Sequence, residues 1–322
     1  MSHKIAIIIP FFQKREGILS AAIRSAFKQH GVNKLDIIVI DDQSPVPADS
    51  ELVSLRREGL PTEYVRIIRQ QNTGPAGARN KGLDSVVPGT EYIAFLDSDD
   101  QWEEGHLSNA ITALDLGYDF YFADFYHLGA DTSAFNRAKR ITPADHRTLD
   151  KGDLLHEYHG DMFNQILFGN VIGTSTVVYR FSTDPLLRFR EDLINAGEDY
   201  IFWLMLAKTT CKIAFSARCE CYYGEGVNVY SGSGWGTDNF IDRVHYEIKY
   251  RKLVEKMFNL TQAQIQKNRQ LLRNLRSAFM KGLIHSLLHR KPLKLGLLMG
   301  HACLDPLSFL CLGAMLEKSR RQ

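Results

Sequence analysis

The chain is 322 residues long, 44% hydrophobic and 24% charged, with a formal net charge of +2 and five cysteines. It is long enough to bury a full core in one large domain plus an extension, and its composition is that of an ordinary globular protein. No stretch approaches the roughly 20 apolar residues of a membrane-spanning helix, no signal-peptide pattern precedes the first strand, and the odd cysteine count with a lone Cys219-x-Cys221 pair argues against a zinc site and for reduced thiols.

The first hundred residues alternate strand and helix signals. Residues 4–9 are a short unbroken apolar run, 17–29 carry apolar residues at helical spacing, and 35–40 are a second, β-branched run that ends at Asp41-Asp42. The pattern predicts a helix over 51–57, a third strand over 64–68, a Gly/Pro-rich stretch at 72–80 leading into a helix near 78–86, and a fourth strand over 92–96. Strands that read as continuous apolar runs are buried on both faces, which means a parallel sheet flanked by helices. From 107 to 223 the pattern is mixed, with strands predicted over 118–125 and 174–179, a polar loop or lid over 131–147, and a helix over 198–207 that opens on Glu198-Asp199. Residues 224–238 are Gly/Ser-rich, contain Trp235 and read as a mobile loop. Beyond about 240 the chain is helical, broken at Pro292, with short apolar segments at 293–304 and 306–316. The expected architecture is α/β: a doubly wound, mainly parallel sheet flanked by helices, with a helical C-terminal extension.

Ligands of such sheets bind at the carboxyl ends of the strands. Two of those ends carry acid: Asp41-Asp42, and Asp97-Ser98-Asp99-Asp100 after the fourth strand. A buried strand that delivers clustered carboxylates suits a divalent cation with a phosphorylated ligand on its far side. The later pair Glu198-Asp199 is a candidate general base. Plainer readings stand beside these. Asp41 could be a loop residue or helix cap, Asp100 is favoured as the cap of the following helix, Arg79 could pair structurally with a strand-end carboxylate, and Trp102 and Trp235 could be packing residues. His285 and His289 are four apart without a Glu-based zinc motif and read as a surface helix.

Five segments occur in order: Ile7-Ile8-Ile9-Pro10-Phe11-Phe12; Val39-Ile40-Asp41-Asp42-Gln43-Ser44; Asn72-Thr73-Gly74-Pro75-Ala76-Gly77-Ala78-Arg79-Asn80; Phe95-Leu96-Asp97-Ser98-Asp99-Asp100 with Trp102; and Gly197-Glu198-Asp199. In this order and spacing they resemble the family 2 inverting glycosyltransferases of GT-A fold, over about residues 3–210. Gln13 departs from the pattern, since many members have Asn there. The opening strand, Ser44-Pro45-Val46-Pro47-Ala48 and Gly117-Tyr118-Asp119-Phe120-Tyr121-Phe122 also look like glucosyltransferases of succinoglycan-type exopolysaccharide assembly. Those enzymes extend a lipid-linked oligosaccharide at the cytoplasmic face of the inner membrane.

The resemblance implies a GT-A catalytic domain over 1–239, with a nucleotide-binding half to about 106 and an acceptor-binding half over 107–239, followed by the extension at 240–322. It implies a UDP-sugar donor, UDP-glucose favoured, and a lipid-linked oligosaccharide acceptor. Asp42 would accept from the uracil N3–H, Arg79 would sit near the base or diphosphate, and Pro10 and Phe11 would line the uridine pocket. Asn72, Gly74 and Ser98 would also lie on the nucleotide sugar, with Asp97 near the ribose. Asp99 would hold Mg2+ or Mn2+, and Asp199 would be the general base, with Glu198 its competitor. Thr174 and Trp235 are acceptor-side candidates. A nucleotidyltransferase or pyrophosphorylase is the rival enzyme class. Its usual Gly-rich loop with Lys is absent from Pro10-Phe11-Phe12-Gln13-Lys14-Arg15. A non-catalytic nucleotide-sugar-binding protein would not need the intact Glu198-Asp199.

Charge is unevenly spread. Residues 1–255 hold 27 Lys and Arg against 35 Asp and Glu, whereas 256–304 hold nine Lys and Arg and no acid. A basic, acid-free stretch with short apolar segments reads as an element lying on a membrane surface. A packed helical subdomain or a homodimer interface is the alternative. It lacks the aromatic interleaving of a nucleic-acid binder. The expected location is cytoplasmic, peripheral at the inner face of the bacterial plasma membrane.

Overall fold

A computed structural model describes residues 4–310 apart from 33, 150, 151, 153, 195, 211 and 227–232. Strands β1 (Lys4–Phe11), β2 (Lys34–Asp41), β3 (Val65–Arg69) and β4 (Tyr92–Phe95) alternate with helices α1 (Ile18–Phe27), α2 (Ala48–Arg57) and α3 (Gly74–Asp84). β1 pairs in parallel with both β2 and β4, and β2 pairs in parallel with β3. Ile5, Ile7, Ile8 and Ile9 are all fully buried, which is the two-sided burial that an unbroken apolar run demands. α3 lies close on β1. A Cβ at Gly82 would stand 2.4 Å from Ile8 Cγ2, so glycine is needed for that approach.

The chain continues through β5 (Gln101–Trp102), α4 (His106–Asp115), β6 (Phe120–Tyr126), α5 (Ala134–Ala138), β7 (Arg147–Thr148), β8 (Leu155–Glu157), α6 (Met162–Gly169), β9 (Val178–Arg180), α7 (Glu198–Thr209) and β10 (Ile213–Tyr222). One sheet collects every strand in the order β3-β2-β1-β4-β9-β6-β10-β8-β7, with β5 on β10. β9 runs antiparallel to β4 and to β6, while β6 and β10 are parallel. The reversed β9 therefore joins two parallel blocks. Phe95, on β4, makes ring contacts with Tyr179, Phe189, Phe202 and Trp203, all in the core behind the sheet.

Three predicted elements are corrected. The Gly/Pro-rich stretch is already helix from Gly74, because Pro75 sits in the first turn, where a missing N–H costs nothing. The strand predicted at 174–179 begins as a 3-10 turn, Thr174–Thr176, closed by Thr176 N–H on the Gly173 carbonyl at 2.9 Å, and is extended only at Val178–Arg180. The polar loop at 131–147 contains α5, whose N-cap Ser133 accepts from Asn136 N–H.

The helical extension comprises α8 (Phe240–Met257), α9 (Gln262–Leu288) and α10 (Leu295–Leu304). α9 opens on a capping box between Thr261 and Gln264. Of the apolar segment 306–316, residues 307–310 are helical and 311–316 lie outside the described residues, as do 227–232 of the expected mobile loop. The chain groups into two compact units: residues 1–191 with 202–227, and residues 192–201 with 228–322. The first holds the sheet. The second holds α8 to α10, with a core of Phe240, Ile241, Val244, Ile248, Leu272, Phe279 and Met280, together with the segment that enters α7.

Candidate active site

In the sheet unit, four strand ends leave side by side. Asp42 N–H donates to the Phe11 carbonyl (3.0 Å), Gln70 N–H to the Asp41 carbonyl (3.0 Å) and Leu96 N–H to the Ile8 carbonyl (3.1 Å). Helices α1, α2 and α3 start with Gly17, Pro47 and Thr73 as N-caps, none of which makes a side-chain cap bond. Carboxylates from elsewhere do so instead. Glu51 accepts from Gly17 N–H (2.7 Å) and Ser20 N–H (3.0 Å). Asp41 accepts from Ser44 N–H (2.9 Å) and Ala48 N–H (3.0 Å). Asp42 accepts from Thr73 N–H (2.9 Å), Gly74 N–H (2.9 Å) and the Gln70 amide (2.8 Å). An anion there satisfies orphan N–H groups and meets the positive end of the helix dipole.

Asp41 is thus a helix cap. Asp42, turned the other way by strand alternation, caps α3 from the edge of the sheet. Its Oδ2 accepts only the Gly74 bond among the described residues, so it keeps acceptor capacity. Gln43, in the left-handed region at φ 60°, turns the chain just after it. Asn72 donates its side-chain amide to the Asp42 carbonyl at 3.0 Å. Pro10 is half-buried at the same edge, whereas the Phe11 ring is packed in the core. Phe11 therefore faces the site with its backbone rather than with the ring expected to line a pocket.

Arg79 donates to Asp97 Oδ1 at 2.6 Å, and its guanidinium lies 5.4 Å from the Phe189 ring centroid. That is the strand-end pairing given above as its plainer reading. Ser98 is buried and accepts from the Gln13 amide at 3.1 Å. Asp100 does not cap α4, whose N-cap Gly105 carries no side-chain bond. It instead accepts from Ser175 Oγ (2.5 Å) and from Gly224 N–H (3.1 Å). Ser175 Oγ also accepts from Asp97 N–H at 2.9 Å, and the Ser175 carbonyl takes the Trp102 indole N–H. The turn that contains Thr174 and Ser175, both buried, therefore fixes the loop of aspartates.

A strap crosses that loop. Gly226 N–H donates to Asp99 Oδ2 at 2.9 Å, and Arg15 donates to the Glu225 carbonyl at 2.5 Å. A Cβ would come within 1.8 Å of the Asp99 carbonyl oxygen at Gly224, and within 2.4 Å of Asp99 Oδ2 at Gly226. Burial, then the charge of Asp97, pushes the Asp99 carboxyl up to about 6. Burial, then Asp97 and Asp99, raises Asp100 well above the ordinary carboxylate range. Ser175, Gln70, Gly224 and Gly226 were not singled out as site residues in the sequence. The two glycines were visible there only as part of a loop, and Ser175 sits in a stretch that looks like a plain strand.

The donor set fits a hard divalent cation. It is all oxygen, Asp97 and Asp99 stand close enough that the Asp97 charge raises the Asp99 carboxyl, and Mg2+ is commonly held by one or two carboxylates plus substrate phosphates. Among the described residues no group of three or more His, Cys, Asp and Glu side chains could hold an ion unaided.

The second acidic pair lies in the other compact unit. Glu198 and Asp199 occupy the first turn of α7, and Asp199 Oδ1 accepts from Tyr200 N–H at 2.8 Å. Gly197 precedes them with φ 92°, and a Cβ there would stand 2.9 Å from Tyr250. Asp192 is anchored to Lys249 at 3.2 Å, and the Tyr200 ring meets Tyr250 edge-on. Trp235, 58% exposed, leans on Phe240 and His285, and the His285 and His289 rings lie 4.3 Å apart.

Residues 6–179 match glycosyl transferase family 2. The succinoglycan biosynthesis protein ExoW of Rhizobium meliloti (strain 1021) is 31% identical over 235 residues, 70% of this chain and 70% of that protein. The GalNAc(5)-diNAcBac-PP-undecaprenol beta-1,3-glucosyltransferase of Campylobacter jejuni is 32% identical over 205 residues, 64% of this chain and 60% of that protein. Two solved structures are similar in fold. S. aureus TarS 1-349 in complex with UDP-GlcNAc has a TM-score of 0.55 at 17% identity, covering 88% of this chain and 72% of that one. The mannosyltransferase PcManGT from Pyrobaculum calidifontis in complex with GDP-Man and Mn2+ has a TM-score of 0.57 at 13% identity, covering 98% and 81%. With its ordered motifs, its sheet of two parallel blocks and its match over more than half its length, the chain belongs to glycosyl transferase family 2 and has the GT-A fold.

Proposed function

We propose that the chain transfers a sugar from a UDP-sugar to a hydroxyl of a lipid-linked oligosaccharide, with inversion, in the synthesis of a surface polysaccharide. The observation that carries this is the edge at Asp42, Asp97 and Asp99, where an open acceptor atom, an Arg-paired carboxylate and a buried carboxyl raised by its acidic neighbour stand at the ends of parallel strands. UDP is favoured by the TarS complex, and the lipid-linked acceptor and β-linkage by the name of the Campylobacter relative. Surface polysaccharide synthesis is favoured by the succinoglycan relative, and glucose by the name of the Campylobacter enzyme together with the sequence resemblance.

In this reading Asp42 Oδ2 accepts from the uracil N3–H, and Pro10, Asn72, Gly74 and Ser98 shape the nucleotide's seat. Asp97, held by Arg79, faces the ribose. Asp99, with the donor's diphosphate oxygens, would hold Mg2+ or Mn2+, which supplies neutralisation of the charge on the departing diphosphate. Asp199 takes the proton from the acceptor hydroxyl as its oxygen bonds C1. The C1–O bond to the diphosphate breaks on the opposite face, and UDP leaves with the electron pair. An α-linked donor thereby yields a β-linked product. Glu198 is the second candidate for the base. Trp235 offers an exposed ring to sugar on the acceptor side, and Thr174, which precedes the Ser175 that bonds Asp97 and Asp100, is the other acceptor-side candidate.

The test follows UDP release across a panel of UDP-sugars with Mn2+ or Mg2+ and a polyprenyl-diphosphate-linked acceptor. Turnover with one donor, lowered on the order of 10³-fold in Asp199→Asn and abolished in Asp99→Ala, supports the reading. Pyrophosphate release from a nucleoside triphosphate, or turnover unchanged in Asp199→Asn, overturns it.

A further inference from the structure

Residues 295–310 have their polar groups inside and their apolar groups outside. The stretch contains three polar side chains, His301, Asp305 and Ser308, and none of the three has exposed surface. Its exposed positions are Leu, Met, Ala, Cys, Pro and Gly. Leu295 and Met299, one turn apart on α10, are each 72% exposed, as is Leu310, and Leu287 and Leu288 at the end of α9 are 60% and 77% exposed. On its inner side α10 packs Leu297, Leu298 and Leu304 against the core of α8 and α9. A contiguous exposed apolar face of this kind marks a contact with a partner or with lipid.

The buried polar groups stop α10 from rolling its outer face inward. Asp305 accepts two bonds from Arg276 at 2.7 and 2.8 Å and stands 3.2 Å from Lys252. His301 bonds His245 at 2.9 Å through one ring nitrogen and Ser308 at 2.9 Å through the other. Rotation of α10 would strand a buried carboxylate, so the apolar face is held outward.

The rim chooses the occupant. Arg290 and Lys294 are exposed beside the face, and residues 256–304 contain no acid to balance their nine Lys and Arg. Four of the nine pair with acids outside that stretch, Arg269 with Glu255, Arg276 with Asp305, Lys291 with Asp238 and Lys294 with Asp242, and the unit that holds α8 to α10 still has more Lys and Arg than Asp and Glu. A twofold self-interface would set these like charges against each other. An anionic lipid surface complements them. At ten residues α10 is about 15 Å long, half of the hydrocarbon thickness, so it can lie in the interface and not span it.

We propose that Leu295 and Met299, flanked by Leu287, Leu288 and Leu310 and rimmed by Arg290 and Lys294, insert into the surface of an anionic phospholipid bilayer and hold the protein there. This rests on, and deepens, the reading of a membrane-borne acceptor. The test is sedimentation of the full chain with phosphatidylglycerol/phosphatidylcholine vesicles and with phosphatidylcholine alone, without donor or acceptor, so that vesicle binding stands or falls apart from transferase activity. The expected result is binding to the anionic vesicles that drops at least tenfold in the double variant Leu295→Glu, Met299→Glu and in the milder Leu295→Ser, Met299→Ser. Leu186→Glu, at another exposed leucine, should bind as wild type. Thermal melts unchanged in all variants show that folding is intact. Equal binding by wild type and both double variants, or no binding to either vesicle, overturns the proposal. Loss of a wild-type dimer in the double variants would assign the face to a second copy instead, and binding gained only on removal of residues 311–322 would assign it to that segment.

Discussion

Asp305, in the C-terminal unit, and Asp99, in the sheet unit, are both buried acids, but their surroundings differ. Burial alone would raise Asp305, yet hydrogen bonds from Arg276, Ser308 and Lys252 outweigh it and hold the carboxyl down at about 2. Asp99 has burial and the Asp97 charge acting together, and stands at about 6. Arg276 and Lys252 pair directly with the first, whereas Arg79 acts on the second only through its charge and bonds Asp97 instead. A carboxylate paired within the fold is structural. A carboxylate cluster left short of positive charge at a strand end is poised for a ligand that brings it.

The largest effect should come from breaking the paired site. Arg276→Ala leaves Asp305 buried with Lys252 as its remaining cation, and is expected to cost about 3 kcal/mol of stability, read from the urea midpoint. A loss under 1 kcal/mol would mean that Lys252 or water replaces the guanidinium.

Acid should weaken the same unit. Burial first, then the charge of His245, lowers His301 to about 4. Between pH 6.5 and 4 the unfolded chain binds a proton there that the folded chain does not. Stability therefore rises with pH across that window and is lost as pH falls through it, by on the order of 2 kcal/mol. His301→Gln should flatten this slope in denaturation curves taken at pH 7, 5.5 and 4. An unchanged slope would place the titration elsewhere.

The smallest effect sharpens the other side of the comparison. Gly226→Ala pushes a Cβ into Asp99 Oδ2 and should move the strap. UDP affinity is expected to fall about tenfold, or roughly 1.4 kcal/mol, with little change in the unfolding midpoint because the strap is not part of the core. Equal affinity would mean that the strap plays no part in nucleotide binding.

The parallel block was legible because Ile5–Ile9 and Ile37–Ile40 can be buried only between two helical layers, and the aspartates mark where such strands end. Long-range partners were not legible. Nothing local ties Ser175 to Asp97 and Asp100, more than seventy residues away in sequence, or Gly226 to Asp99. The same gap explains Asp100: the capping rule is local, and a buried serine from another element overrode it. Asp42 capping α3 across 31 residues was hidden likewise. In the tail the apolar segment was plain, but its outward face depends on where Arg276 and His245 sit, and periodicity does not report that.

In the proposed reading Asp99 awaits a cation that arrives with a nucleotide diphosphate. Calorimetric titration of UDP with and without Mn2+, in wild type and Asp99→Ala, tests it most directly. The expected result is wild-type affinity raised at least tenfold by Mn2+, with that gain absent in Asp99→Ala. UDP affinity indifferent to Mn2+ in the wild type, or a Mn2+ gain fully kept in Asp99→Ala, would contradict it.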